Sequence, residues 1–104
     1  MNQETKITRL LELFKKLRGI LASEDDKNWI RGIEAIIFDL SSQEAIVGNE
    51  DEVVRYVEYT YKGMCRGNGS FSDFYIWRDD FEERVSENEK LNNLKEKIWR
   101  EFDR

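Results

Sequence analysis

The chain has 104 residues, of which 39% are hydrophobic and 38% charged, and its formal net charge is −5. Thirteen aromatic residues supply enough apolar area to offset the entropy of ordering, so the composition excludes a disordered chain and fits a single domain over residues 1–104. Histidine is absent, which removes the commonest general base and metal ligand, and no apolar stretch approaches the roughly 18 residues of a membrane helix.

Cys65 is the only cysteine, so no disulfide can form within the chain, as suits a reducing cytosol. Because no basic and then apolar leader opens the sequence, we expect a cytoplasmic protein with no membrane partner. A thiolate zinc site needs several cysteines, and a cysteine nucleophile needs a base that the pattern does not place beside it. We therefore predict no metal or cofactor, and expect Cys65 to be a buried or half-buried filler at a helix end.

The first predicted element is an amphipathic helix, because apolar residues recur at spacings of three and four from Ile7 to Leu21. Its other faces carry basic residues. A basic helix is one feature of nucleic-acid binders, but an acidic chain with a pI near 4.9 repels phosphate, so we expect no nucleic-acid partner.

A second helix is predicted from Trp29 to Leu40, again from its apolar stripe. Ser23, followed by three acidic residues, is typical of an N-cap with acids at the positive end of the helix dipole. Two serines at 41–42 end the stripe, and residues 43–47 are expected to form a short turn.

The third element has an apolar stripe over residues 53–64. A capping signature precedes this stripe, with Asn49 followed by Glu52 three residues later. Its valines and tyrosines are also typical of a strand, which is the alternative for residues 53–61. Because apolar and polar residues do not alternate cleanly, a helix is favoured.

The helical pattern fails between Gly63 and Trp77, a window with three glycines and four aromatic residues. It lacks the third glycine, the preceding strand and the lysine of phosphate-binding loops, so residues 67–69 are interpreted as a tight turn with positive φ angles. Phe71, Phe74 and Ile76 are expected to close the core. The stretch 74–77 is either extended or the first turn of the next helix.

A long last helix is predicted by an apolar stripe from Phe81 to Phe102. Two capping signals compete for its start, Asp79 with Glu82 and Ser86 with Glu89, so a break near Ser86 is possible. Together the elements predict an all-α bundle of about four helices, with a Gly-rich loop and a short extended segment before the last one.

The run Gly69-Ser-Phe-Ser-Asp73, the nearby Ile76 and the distal Leu91-x-x-Leu94-x-x-x-Ile98-Trp99 resemble a family of small uncharacterised bacterial proteins of immunity type. Those proteins have a helical N-terminal half, a loop like G-S-F-N-D and a final helix with an L-x-x-L-x-x-x-I/L-W-like pattern. The likeness covers roughly the last 40 of the 104 residues. Ser72 stands where Asn is usual, and residues 66–68 are inserted or altered.

The resemblance implies a cytoplasmic protein that binds a cognate toxin in the producing cell and blocks its active site, with a nuclease as one candidate for the toxin. An acidic inhibitor would be steered quickly to a basic toxin surface, although acids at helix starts also stabilise helices without any partner. Exposed aromatic residues are expected at the centre of the contact, with charges at its rim. The predicted partner-binding residues are Glu50, Asp51, Glu52, Asp73, Tyr75 and Trp77, with Asp25 and Asp26 as outer steering charges.

Two alternatives remain from the sequence. The first is a structural or regulatory helical domain that self-associates without a toxin. For the toxin-binding protein a monomer or weak homodimer is expected, whereas an obligate dimer with no toxin encoded nearby would favour this alternative. An enzyme is the less favoured alternative, because it would have to use carboxylates such as Asp73 and Asp79 with no histidine.

Overall fold

The computed structural model describes residues 5–42, 48–67 and 69–103. Within these ranges the chain forms helices and no strand. They are α1 (Lys6–Ser23), α2 (Trp29–Leu40), α3 (Glu50–Met64), a 3₁₀ turn (Phe71–Asp73) and α4 (Phe81–Asp103). The predicted all-α bundle is confirmed, and residues 53–61 are helical. The turn predicted over residues 43–47 lies outside the described residues.

The core forms where α1 packs between α2 and α4, while α2 also packs against α3. One face of α1 is fully buried because its apolar residues repeat every three or four positions; these are Leu10, Phe14, Leu17 and Leu21. Phe14 meets Tyr61 of α3 edge to face, with ring centroids 5.2 Å apart, and lies 6.2 Å from Phe102 of α4. These three rings join helices that are distant in sequence.

The predicted N-cap at Ser23 is wrong. Ser23 ends α1, where its Oγ donates to the Ile20 carbonyl at 2.8 Å, and the chain then turns through Asp25 at a φ of +55°. The Asp26 carboxylate takes over the capping role, accepting a hydrogen bond from the Ile30 N–H at 2.8 Å. The acidic run therefore supplies the cap, three residues later than expected.

The starts of α3 and α4 also differ from the predicted caps. Asn49 occupies the N-cap position of α3 but its side chain makes no capping hydrogen bond. At α4, Asp80 accepts from the Glu83 N–H at 2.8 Å, so the cap lies one residue after Asp79. α4 then continues without interruption to Asp103, so the break considered near Ser86 does not occur.

Candidate partner-binding surface

Two glycines of the turn that precedes this surface have the predicted positive φ angles, and residue 68 lies outside the described residues. Gly67 and Gly69 have φ angles of +81° and +74°. The Asp73 carboxylate accepts a hydrogen bond from the Gly69 N–H at 2.7 Å. Asp73 is exposed, as a partner-binding residue must be, but one of its carboxylate oxygens is already hydrogen-bonded within its own turn.

Two apolar side chains anchor the segment 70–78 to the bundle. Phe71 is fully buried, with its ring centroid 5.8 Å from that of Trp29 and 6.2 Å from that of Tyr61. Ile76 is also buried, and Phe74 is half-buried and stacks on Phe71 at 5.8 Å. The prediction that Phe71, Phe74 and Ile76 close the core is confirmed.

Asn88 clamps the backbone of Ile76 to α4. Its Oδ1 accepts from the Ile76 N–H at 2.9 Å, and its Nδ2 donates to the Ile76 carbonyl at 2.8 Å and to the Arg84 carbonyl at 2.8 Å. The backbone N–H and C=O of Ile76, which would bind a neighbouring strand in a sheet, are thereby hydrogen-bonded to a side chain. Asn88 lies within the apolar stripe that was predicted from Phe81 to Phe102, and this role was not predicted. An amide at an apolar stripe position was the available signal.

Because Ile76 points inward, its neighbours Tyr75 and Trp77 in the extended segment point outward. Tyr75 is 58% exposed and Trp77 is 63% exposed, as predicted. Phe81, in the first turn of α4, is 66% exposed, although the apolar stripe had placed it with the core. The Arg84 guanidinium lies 4.2 Å from the Trp77 ring centroid and 5.4 Å from that of Phe81, so it joins the two rings.

Further polar contacts fix this segment. The Trp77 Nε1–H donates to the Asp79 carboxylate at 3.4 Å. The Arg78 guanidinium donates to both oxygens of Glu24 at 2.7 and 2.6 Å, and to Glu83 at 3.2 Å. These hydrogen bonds hold the pKa of the Glu24 carboxyl below its usual value. The bridge ties the aromatic segment to the end of α1, beside the exposed Asp25.

We call the exposed rings Tyr75, Trp77 and Phe81, together with Arg84, the aromatic surface. Its rim is acidic, because the exposed side chains of Asp79, Asp80 and Glu82 lie in the same stretch of chain. Asp25 joins this rim through the adjacent Glu24–Arg78 bridge. Asp26 lies near it too, but its carboxylate caps α2.

The acidic residues Glu50, Asp51 and Glu52 lie elsewhere. They form the first turn of α3, whereas Phe71, which anchors the segment that carries the rings, packs against Tyr61 near the other end of that helix. The 15 residues of α3 span about 20 Å at ~1.5 Å per residue. The structure therefore divides the predicted residues into two groups. One group is the acidic first turn of α3, and the other consists of Asp73, Tyr75, Trp77, Asp25 and Asp26.

A second exposed aromatic group accompanies the acidic turn of α3. A groove of about 280 Å³ between the end of α2 and the start of α3 is lined by Phe38, Asp39, Glu52, Val53 and Tyr56, among others. Phe38 is 76% exposed, and Tyr59 one turn further along α3 is 75% exposed. This surface was not predicted from the sequence, because its rings come from two different helices.

The chemistry around Cys65 is that of a structural thiol. Cys65 is half-buried just after α3, as predicted, and burial raises the pKa of its thiol. Burial also lowers the pKa of the nearby Lys95 ammonium, whose Nζ lies 4.4 Å from the Phe71 ring centroid. A raised thiol pKa is the opposite of what a cysteine nucleophile requires.

In residues 5–42, 48–67 and 69–103, no three metal-ligating side chains come together, and no helix is long and apolar enough to cross a membrane. Comparison with protein-family models, curated proteins and solved structures found no match to the chain. These comparisons neither support nor contradict the resemblance carried by Gly69–Asp73 and α4.

Proposed function

We propose that this protein is a small inhibitor of immunity type, which binds and neutralises a cognate bacterial toxin through the aromatic surface. The observation that supports this most is the exposure of three large rings on one surface, where buried contacts fix their backbone. Aromatic residues dominate the energy of protein interfaces, and each buries about 150–250 Å² when covered. At exposures of 58–66%, the three rings together offer roughly 300–450 Å², about half of the roughly 800 Å² that one partner contributes to a standard interface.

The acidic rim suits a partner with a basic surface. Asp79, Asp80, Glu82 and Asp25 are exposed around the rings, where charges mainly raise the association rate and its dependence on salt. Many toxins that act on nucleic acid have basic clefts, so an inhibitor with this surface would reach them quickly.

The decisive test is protection of cells that express a toxin domain encoded beside this gene. We expect the double variant Tyr75→Ala/Trp77→Ala to lose protection and to bind the toxin at least about 30-fold more weakly, since hot-spot rings contribute ~2 kcal/mol or more. The matched control is Phe38→Ala/Tyr59→Ala, which removes two even more exposed rings from the α2–α3 surface. If the first variant protects as well as the wild type, or the control loses protection instead, the aromatic surface is not the toxin site.

The acidic turn of α3 is tested separately. Charge reversal at Glu50, Asp51 and Glu52 should slow association with a basic toxin and leave the dissociation rate nearly unchanged, because these residues lie about one helix length from the rings. Stopped-flow association at two salt concentrations measures both effects. An association rate equal to that of the wild type at low salt would remove these three residues from the site.

Self-association is a second candidate function, and the α2–α3 surface favours it. Phe38, Tyr56 and Tyr59 are all exposed there, and a second copy of the chain would bury them. Size-exclusion chromatography with light scattering distinguishes the two functions. A stable dimer that Phe38→Ser/Tyr59→Ser dissociates, together with no toxin encoded nearby, would favour a self-associating structural or regulatory domain.

A further inference from the structure

A groove between α1 and α4 combines an apolar floor with a basic wall. It encloses about 530 Å³. The floor is formed by Leu13, Ile20 and Leu94, and three lysines line the groove, namely Lys16, Lys90 and Lys97. The chain as a whole carries a net charge of −5, so this concentration of positive charge stands out from its surroundings.

From this groove we infer a second binding site, which takes an amphipathic acidic helix of a protein partner. Leucine-like side chains of that helix would cover the floor, and its carboxylates would meet the lysines, as in other helix-in-groove complexes. The site is separate from the aromatic surface and does not depend on the toxin proposal.

The charges of the groove are available to a ligand. Lys16 and Lys97 form no ion pair within the described part of the chain, whereas the basic residues beside the groove are paired. Arg9 bridges to Glu101, and Arg100 bridges to Glu96 at 2.5 Å. Lys90 lies 3.3 Å from Glu87 on the exposed rim, where such a pair contributes little. The positive charge therefore remains uncompensated mainly at Lys16 and Lys97.

Gly19 supports the same inference. It lies within α1 and lines the groove, and a Cβ at this position would meet nothing within 4 Å. A glycine inside a helix costs about 1 kcal/mol relative to alanine, and packing within the chain does not explain it here. Its open surface allows the backbone of a docked helix to approach α1 closely.

The shape and charge of the groove favour a helix over other anionic ligands. Leu13 and Ile20 are seven residues apart, so they form a stripe about 10 Å long on α1, with Leu94 of α4 beside it. A nucleic acid would find an apolar floor and an acidic protein around it, which disfavours phosphate binding. A flat anionic membrane would reach the rim but not the concave floor.

The test uses a fluorescein-labelled synthetic peptide of about five helical turns, with leucine on one face and glutamate on the others. Fluorescence anisotropy with the full chain should show saturable binding. Lys16→Glu/Lys97→Glu should weaken it at least about tenfold, equivalent to ~1.4 kcal/mol. The control Lys15→Glu/Lys27→Glu makes the same charge change at exposed positions outside the groove and should bind like the wild type.

A Gly19→Leu variant separates occlusion of the groove from loss of fold. The new side chain enters open space and improves helix propensity, so thermal stability should rise while peptide binding falls. The inference is overturned if the peptide does not bind at about 1 mM, or if it binds the Lys16/Lys97 and Gly19 variants as tightly as the wild type. Lysine-dependent binding of a single-stranded oligonucleotide or of anionic vesicles, in preference to the peptide, would also overturn it.

Discussion

Replacement of Asn88 is the perturbation that most directly tests how the aromatic surface is built. The buried carboxamide of Asn88 makes three hydrogen bonds, two to the backbone of Ile76 and one to the Arg84 carbonyl. Asn88→Ala removes all three and leaves the Ile76 N–H and C=O without a partner next to the core. The extended segment between the 3₁₀ turn and α4 would then be held mainly by Phe71 and the Arg78–Glu24 bridge.

The expected cost follows from those contacts. Each lost hydrogen bond contributes about 1 kcal/mol net, and each buried polar group left unpaired costs roughly 1–3 kcal/mol. Alanine recovers roughly 0.5 kcal/mol through its helix propensity. We expect Asn88→Ala to lower the free energy of unfolding by about 2–4 kcal/mol and the melting temperature by roughly 10–25 °C.

Urea unfolding followed by circular dichroism measures the global effect, and hydrogen exchange at the Ile76 amide measures the local one. Asn92→Ala is the matched control, because Asn92 is exposed on the same helix and its replacement should change stability by less than about 0.5 kcal/mol. The clamp is refuted if Asn88→Ala is as stable as this control and the Ile76 amide remains protected.

Three further predictions concern other contacts. Arg78 lowers the pKa of the Glu24 carboxyl, so the pair stabilises the fold above the ordinary value of 4.5 and this contribution is lost as the pH falls through the lowered folded pKa. Glu24→Gln should therefore have a lower free energy of unfolding than the wild type at pH 7. Urea unfolding at a series of pH values should show this difference vanish in acid. Gly69→Ala should lower the free energy of unfolding by about 1 kcal/mol because φ is +74°, whereas Gly19→Ala should raise it by up to about 1 kcal/mol. Stability changes of the same sign in both variants would contradict this. Cys65 should react with Ellman's reagent more slowly in the folded chain than in urea, and equal rates would show an accessible thiolate.

The helices could be predicted from the sequence because their apolar residues repeat with the helical period. The stripe of α1 is buried as expected, and the helix over residues 53–61 formed despite its valines and tyrosines. Val54, Val57 and Tyr61 share one buried face at helical spacing. Their common burial outweighs the weak strand preference of individual residues.

Contacts between distant residues were harder to predict. Phe81 fits the apolar stripe of α4, yet it is exposed and its ring contacts Arg84. The acidic first turn of α3 and the aromatic segment were predicted to lie on one surface. The sequence does not show that this segment packs against the opposite end of α3, through Phe71 and Tyr61. Asn88 could be recognised as a clamp only once Ile76 was known to lie beside it.

The rings of the aromatic surface differ from rings that are exposed simply because they do not fit into the core. The backbone of its extended segment is fixed by Asn88, and the Trp77 ring is held by Arg84 and Asp79. Ordering a free side chain at an interface costs about 0.5–1.5 kcal/mol, and here much of that ordering exists before any partner binds. Phe38 shows no aromatic or cation–π contact of this kind among the described residues, so the greater exposure of its ring does not make it the better contact site. Pre-ordering at Trp77 is the physical reason to place the tight contact there and to assign the α2–α3 surface to weaker association.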